Sequence, residues 1–87
     1  MNVEAIVKSR FATIVGLPVQ QIDFDADLRD QYGIDSVKAL KLISEVEVEF
    51  DVDIEQDEAR RVRTLNDLVG MINAKLAPST VQSAGSR

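Results

Sequence analysis

Apolar residues recur every three or four positions near the start of the chain, and this spacing predicts one buried stripe along an amphipathic helix. The stripe consists of Val3, Ile6, Val7, Phe11, Ile14 and Val15. Asn2 can cap the start of this helix, and Glu4 is well placed in its first turn. Gly16 ends the stripe. The pattern therefore predicts a first helix over residues 3–15.

A second stripe follows Ser36 and meets a competing pattern. Its members are Leu40, Ile43, Val46 or Glu47, and Phe50. Residues 45–55 read EVEVEFDVDIE, which alternates as a half-buried strand does. No other segment predicts a strand that could pair with it, and a lone strand is not stable. We therefore expect a helix from residue 36 to about 50, with Asp35 or Ser36 as its N-cap.

The third part of the chain predicts two further helices. Residues 57–62 (DEARRV) can form one or two helical turns. Thr64 and Asp67 have the spacing of a capping box, and a last stripe follows them. That stripe is Leu65, Leu68, Val69, Ile72 and Leu76, and it predicts a helix over 65–76. The fold class is all-α: a small four-helix bundle of three main helices and one short helix.

A long loop joins the first two helices. Residues 17–35 show no sustained period, and such loops are uncommon unless they are functional or held by their own side chains. Its apolar residues are expected to pin it to the core: Leu17, Val19, Ile22, Phe24, Leu28 and Tyr32. The acidic run from Asp23 to Asp30 does not match a calcium-binding EF-hand loop, because Leu28 stands where the turn glycine is required.

The length and composition limit what the chain can be. With 87 residues it fits one domain, expected over 1–76, followed by a small, polar and disordered tail over 77–87. No apolar run approaches the roughly 20 residues of a membrane span, and the first residues do not form a secretory signal. Cysteine is absent, so the chain is compatible with a reducing compartment. We expect a soluble cytoplasmic protein.

The charge pattern favours protein partners over nucleic acid. The net charge is -5, and residues 45–58 hold acids but no base. Such a surface repels nucleic acid and would suit a basic partner. A simple solvated face explains the same pattern equally well.

The missing residue types exclude several kinds of catalysis. Without histidine or cysteine the chain cannot form a Ser-His-Asp or Cys-His site, and we expect neither a catalytic residue nor a metal site. Ser36 stands at a helix start, where free N–H groups and the helix dipole favour a phosphate. It is a suitable residue to carry a phosphodiester added by another enzyme. On the residues alone, a plain N-cap remains the simpler interpretation.

The segment GIDSVKAL (33–40) resembles the modification motif of acyl carrier proteins. The resemblance continues through IVGLPVQQI (14–22) and through EFDVDI (49–54), and it covers residues 3–76. It implies that Ser36 takes a 4'-phosphopantetheine arm from coenzyme A, with Asp35 beside the attachment point. It also implies these partners: a phosphopantetheinyl transferase, an acyl-loading ligase or transferase, and the synthase or modifying enzymes of a pathway. The carrier itself is expected to be a monomer without enzymatic activity.

The resemblance also implies two residue sets. The helix that starts at Ser36 and the short helix after it would provide a partner surface of Val37, Lys38, Lys41, Ser44, Glu45, Glu47, Val48, Arg60 and Arg61. Inward-facing residues would form a core that can open as an acyl pocket: Leu40, Ile43, Val46, Ile54, Ala59, Val62 and Leu68. Ordinary packing is the alternative interpretation of this second set.

The sequence departs from the family at the partner surface. Lysines stand at 38 and 41, where the family often has acids, and arginines stand at 60 and 61. These departures favour a specialised carrier for fatty-acid-like, lipid or polyketide synthesis. The alternatives are an aminoacyl, D-alanyl or peptidyl carrier, and a helical interaction module that never carries the arm.

Overall fold

The computed structural model describes residues 2–77, and the regular elements of these residues are helical. In chain order they are α1 (Val3–Val15), a 3-10 turn (Val19–Gln21), α2 (Leu28–Tyr32), α3 (Ser36–Phe50), α4 (Gln56–Arg60) and α5 (Leu65–Leu76). The predicted all-α class and the bounds of the three main helices are confirmed. Within the described part of the chain, no helix is long and apolar enough to cross a membrane. The predicted tail over 77–87 lies, beyond Ala77, outside the described residues.

The core forms where α1 packs against α3 and α5. Its fully buried side chains come from these three helices: Val7, Phe11, Val46, Leu65, Leu68 and Ile72. The stripes that predicted α1 and α5 face this core, except that Leu76 at the end of α5 is exposed, so the prediction is wrong for that residue. Thr64 and Asp67 form the predicted capping box. The Thr64 hydroxyl accepts the backbone N–H of Asp67, and the Asp67 carboxylate accepts the backbone N–H of Thr64. The helix ends are therefore satisfied locally, and packing is left to the apolar faces.

The alternating segment EVEVEF is helical, as expected. It forms the second half of α3, which ends at Asp51 in the left-handed conformation with φ 53°. The Glu47 carboxylate accepts the backbone N–H of Ile54 at 2.9 Å and so closes the turn that follows. The short helix predicted over 57–62 is α4, which begins at Gln56 and ends at Arg60.

The long first loop contains a helix that the pattern did not predict. Asp27 caps α2, because its Oδ1 accepts the backbone N–H groups of Arg29 and Asp30 at 2.9 and 3.0 Å. Gly33 ends α2 in the left-handed conformation, with φ 61°. Five residues are too few for a period to appear in the sequence, so only these two caps could have indicated α2.

The loop is held in place by side chains and by backbone bonds. The Tyr32 ring packs edge-on against Phe11 with centroids 5.0 Å apart, and its hydroxyl accepts the Asp23 N–H at 2.7 Å. Of the predicted pins, Ile22 and Leu28 are buried and Phe24 and Tyr32 pack against the core. Leu17 and Val19 are exposed, so the prediction is wrong for these two.

Two backbone hydrogen bonds join the loop to the far end of the chain. The Leu28 N–H donates to the Arg63 carbonyl at 2.8 Å, and the Asn66 N–H donates to the Phe24 carbonyl at 3.1 Å. Both bonds link the first loop to the segment around the start of α5. They fix the position of α2, and with it the turn that leads to α3.

The expected core position of Leu40 is wrong. Leu40 is 61% exposed, whereas Leu42, Val46 and Phe50 form the buried line of α3. At 100° per residue, Leu40 lies about 120° around the helix from Val46, which places it off the buried face. The sequence-based set omitted Leu42. The other members of that set are buried (Val46, Ile54, Leu68) or partly buried against the core (Ile43, Ala59, Val62).

Candidate functional site

Ser36 is the first residue of α3, and it is exposed. Asp35 is the N-cap, since its Oδ1 accepts the Lys38 backbone N–H at 2.8 Å. The capping role that the sequence left open between these two residues therefore falls to Asp35. Within residues 2–77, the Ser36 hydroxyl forms no hydrogen bond, so it is free to react with a partner.

The turn before Ser36 has a fixed shape. Gly33 takes the left-handed conformation, which an L-residue adopts only with strain of roughly 1–2 kcal/mol. Ile34 is buried and anchors the turn, and its N–H donates to the Leu28 carbonyl at 3.3 Å. Asp35 and Ser36 follow the buried Ile34, and both are exposed to solvent.

A cleft of about 420 Å³ opens between α2, α3 and the end of α4. Its apolar lining is Leu28, Ile34, Ala39, Leu40, Leu42, Ile43, Ala59 and Val62, and its charged lining is Asp27, Arg29, Asp30, Arg60 and Arg63. This volume lies within the range of roughly 300–1,000 Å³ of small-molecule sites. Ile34 and Ala39 stand two residues before and three residues after Ser36, so the cleft adjoins the serine turn.

Four residues of the predicted pocket line this cleft, and three do not. Leu40, Ile43, Ala59 and Val62 line it, and Leu40 does so as an exposed wall rather than as core. The buried residues Val46, Ile54 and Leu68 are not part of its lining.

The outward face of α3 is apolar and basic. Val37 and Val48 are 74% and 83% exposed, and Leu40 lies on the same side. Lys38 and Lys41 are exposed, and neither forms an ion pair with any residue that the structure describes. Ser44 completes this surface, because it is exposed between Lys41 and Val48. The structure thus brings six residues together on one helix, five of them from the predicted partner surface.

The acids of the predicted partner surface point elsewhere. Glu45 approaches Arg10 of α1 at 4.0 Å, and Glu49 binds the same guanidinium. Glu47 is turned toward the α3–α4 connection, where it accepts the Ile54 N–H. Glu45 and Glu47 therefore tie α3 to its neighbours, and the outward face keeps its lysines.

The two arginines predicted for this surface separate. Arg60 is exposed and lines the cleft. Arg61 forms an exposed ion pair with Asp57 at 3.8 Å at the end of the same short helix, and it does not line the cleft. Arg29 and Arg63 also line the cleft, from α2 and from the α4–α5 connection, and the sequence pattern indicated neither of them. The caps of α2, Asp27 and Gly33, are the sequence signal that could have placed Arg29 on a helix beside the cleft.

Two carboxylates near the cleft walls have a lowered pKa. The backbone N–H of Asp30 is the main cause for Asp27, and the Arg29 N–H and the Arg63 guanidinium also lower its pKa. For Glu58 the main cause is the backbone N–H of Glu55, followed by the Lys75 ammonium, which binds both carboxylate oxygens at 3.0 and 2.9 Å. The charged forms of both groups are thus favoured in the folded state.

These two shifts predict a loss of stability in acid. Because the folded-state pKa values of Asp27 and Glu58 lie below the ordinary values of 3.8 and 4.5, their contribution is complete above those values. It is lost as the pH falls through the lowered values. We expect the thermal midpoint to be flat above about pH 5 and to fall below about pH 4.5. Glu58→Gln should reduce this fall, and an identical pH profile in that variant would contradict the assignment.

The chain is similar to known proteins that carry phosphopantetheine. The family model for the phosphopantetheine attachment site matches residues 5–72. An acyl carrier protein of Desulforapulum autotrophicum is 37% identical over 76 residues, covering 86% of this chain and 99% of that protein. A polyunsaturated fatty acid synthase polypeptide from a Thraustochytrium species is 32% identical over 77 residues, covering 87% of this chain and 3% of that polypeptide.

A solved structure gives the same result for the fold. A Mycobacterium tuberculosis protein assigned as an acyl carrier protein superposes with a TM-score of 0.78 at 27% identity, covering 84% of this chain and 97% of that one. Proteins of this kind are carriers rather than enzymes, and the group that they bear is covalent 4'-phosphopantetheine. The chain belongs to the acyl carrier protein family and is a phosphopantetheine-bearing carrier of acyl groups.

Proposed function

We propose that Ser36 is the residue that takes the phosphopantetheine arm. The observation that carries the proposal is the exposed hydroxyl of Ser36 at the first position of α3, free of any capping bond because Asp35 caps the helix. Ser36 Oγ would form the bond to phosphorus as the pyrophosphate bond of coenzyme A breaks. Its proton would go to a base of the transferase, and the nucleotide part of coenzyme A would leave.

The surroundings of Ser36 suit the phosphodiester that results. The N-terminal N–H groups and the dipole of α3 favour a phosphate at this end of the helix. Lys38 and Lys41 follow on the same helix, where side chains lean toward the N-terminus and can offset negative charge. The bound arm supplies a thiol that holds an acyl group as a thioester, a group that a chain without cysteine does not provide.

Intact mass tests the attachment. The full chain would be incubated with coenzyme A, Mg²⁺ and a broad-specificity phosphopantetheinyl transferase, and the product would then be fragmented to locate the added group. We expect one phosphopantetheine, located on Ser36. The proposal fails if the folded chain gains no mass, or if the group is found on Ser9 or Ser44.

We further propose a specialised carrier that serves its own set of enzymes. A carrier of acyl groups must interact with synthase enzymes, and the free charges on the outward face of α3 are the lysines at 38 and 41. This supports partners whose docking surface is apolar with acids around it. The similarity to a polyunsaturated fatty acid synthase polypeptide favours fatty-acid-like synthesis over other pathways. A dedicated loading enzyme, a monomeric state and a cytoplasmic location belong to the same proposal.

Reversing the charge at Lys41 should make the protein a better substrate for the enzymes of a standard fatty-acid synthase. Lys41→Glu is expected to raise kcat/KM for loading by the malonyl transferase of a standard fatty-acid synthase by about three- to tenfold at low salt, because carriers of this family often have an acid at this position. The gain should shrink as salt is added. The readout is the initial rate of malonyl transfer to the holo protein.

Lys8→Glu is the matched control, because it changes the net charge equally from α1, where Lys8 lies over the Phe24 ring. A similar gain in this control would assign the effect to net charge alone. An unchanged rate in Lys41→Glu would contradict the docking role of the outward face.

A further inference from the structure

The cleft beside the serine turn joins an apolar floor to a basic rim. Leu28, Ile34 and Leu42 are buried and form the floor. Three exposed arginines also line the cleft, Arg29 from α2, Arg60 from α4 and Arg63 from the α4–α5 connection, and they form what we call its rim. This concentration of positive charge stands out in a chain with a net charge of -5.

The charges at the rim are not all equally free. The Asp27 carboxylate already has partners, because it caps α2 and its Oδ2 lies 3.7 Å from Nε of Arg63. Within residues 2–77, Arg29 and Arg60 form no ion pair, and Asp30 is the one other acid of the lining. Two free guanidinium groups therefore outnumber one free carboxylate, and the unpaired charge of the rim is positive.

We propose that the acyl chains which this carrier shelters bear a carboxylate, held at the rim by Arg29 and Arg60. This inference rests on the proposed attachment at Ser36. The hydrocarbon part of such a chain would lie against the floor. A carboxylate cannot be buried there without a partner, whereas a guanidinium at the rim offers a planar pair of donors that matches it. A chain that ends in a methyl group gains nothing from these arginines.

The expected size of the preference follows from the exposure of the rim. Arg60 is exposed, and a single exposed ion pair changes an equilibrium by about 1.4- to fivefold. We therefore expect a modest preference for a carboxylate-bearing acyl chain over a methyl-ended chain of the same length. It should be reduced by salt, because the pair is open to solvent.

The test compares two chains of equal length on the same protein. The full chain would be loaded through the transferase with the coenzyme A thioester of octanoic acid, or with that of its counterpart bearing a carboxylate at the far end, and the nucleotide part of coenzyme A would leave in each case. The rate of thioester cleavage by hydroxylamine would then be measured, since a sheltered thioester reacts more slowly. We expect Arg60→Gln to speed cleavage of the carboxylate-bearing chain about two- to fivefold and to leave the octanoyl chain unchanged.

Arg61→Gln is the matched control. Arg61 follows Arg60 directly, is likewise exposed to solvent and pairs with Asp57 away from the cleft. This control should change neither rate, and thermal unfolding would show that each variant is folded.

Three results would overturn the inference. An equal effect of Arg60→Gln on both chains would mean that the arginine acts on packing or on the phosphate of the arm. An equal effect of Arg61→Gln would assign the change to net charge. Cleavage of the carboxylate-bearing chain as fast as that of a free pantetheine thioester would show that it is not sheltered. Failure of the proposed attachment is separate, because the intact mass would then show no arm at all.

Discussion

Ser36→Ala is expected to abolish the mass gain in the transferase reaction. The variant removes the proposed acceptor oxygen and little else, because the Ser36 side chain is exposed and makes no hydrogen bond within residues 2–77. Asp35 keeps the cap of α3, so the stability should change by no more than about 0.5 kcal/mol. Loss of modification with an unchanged urea midpoint would therefore report on chemistry and not on folding.

Ser44→Ala provides the control for this experiment. Ser44 is an exposed serine on the same helix, but it lies in the middle of α3, where the backbone N–H groups are already bonded. We expect this variant to gain one phosphopantetheine, because the proposed acceptor Ser36 is still present. A residual gain in Ser36→Ala would contradict the assignment of Ser36, whatever the behaviour of Ser44→Ala.

Phe11→Ala is expected to remove about 3–5 kcal/mol of the free energy of unfolding. Phe11 is fully buried at the centre of the core, and its ring meets that of Tyr32 edge-on. A chain of 87 residues has a total stability of about 4–13 kcal/mol, so a large part of it would be lost. The measurement is urea unfolding, in which the midpoint should fall by roughly 2–4 M.

The loss of stability in Phe11→Ala should also affect the segment that leads to Ser36. Tyr32 ends α2 and leads into the turn at Gly33, so the cavity left by Phe11→Ala removes support from the segment that positions Ser36. Val48→Ala is the control, because Val48 is 83% exposed and its truncation should alter the urea midpoint little. A shift in Phe11→Ala as small as that of the control would show that the core does not depend on this ring.

The sequence predicted the three main helices well because each has a stripe and local signals at its ends. The most ambiguous segment of the sequence is 45–55, where strict alternation favours a strand. This segment is nevertheless helical, because Val46 and Phe50 are buried in the core at helical spacing. Asp51 is the C-cap of the helix, and the Glu47 carboxylate accepts the Ile54 N–H just beyond it. Alternation in this segment comes from acids on the flanks of a helix and not from a sheet.

The parts that could not be predicted depend on contacts between distant segments. Leu40 was expected in the core, and the packing of α3 against α1 decides which side of α3 is buried, so that Leu42 takes that place. The attachment motif lies within a few consecutive residues, so Ser36 could be proposed from the sequence. The cleft rim joins Arg29 to Arg60, and no local pattern places two residues so far apart on one surface.

The backbone bonds from the first loop to the α5 region carry a consequence for the order of events during synthesis. The Leu28 N–H needs the Arg63 carbonyl, and the Phe24 carbonyl needs the Asn66 N–H. Both partners leave the ribosome well after Ser36, at rates of about 5–20 residues per second. The turn that displays the serine therefore gains its fixed shape only once the second half of the chain has docked. A transferase that reads this shape would act on finished molecules and would pass over nascent ones.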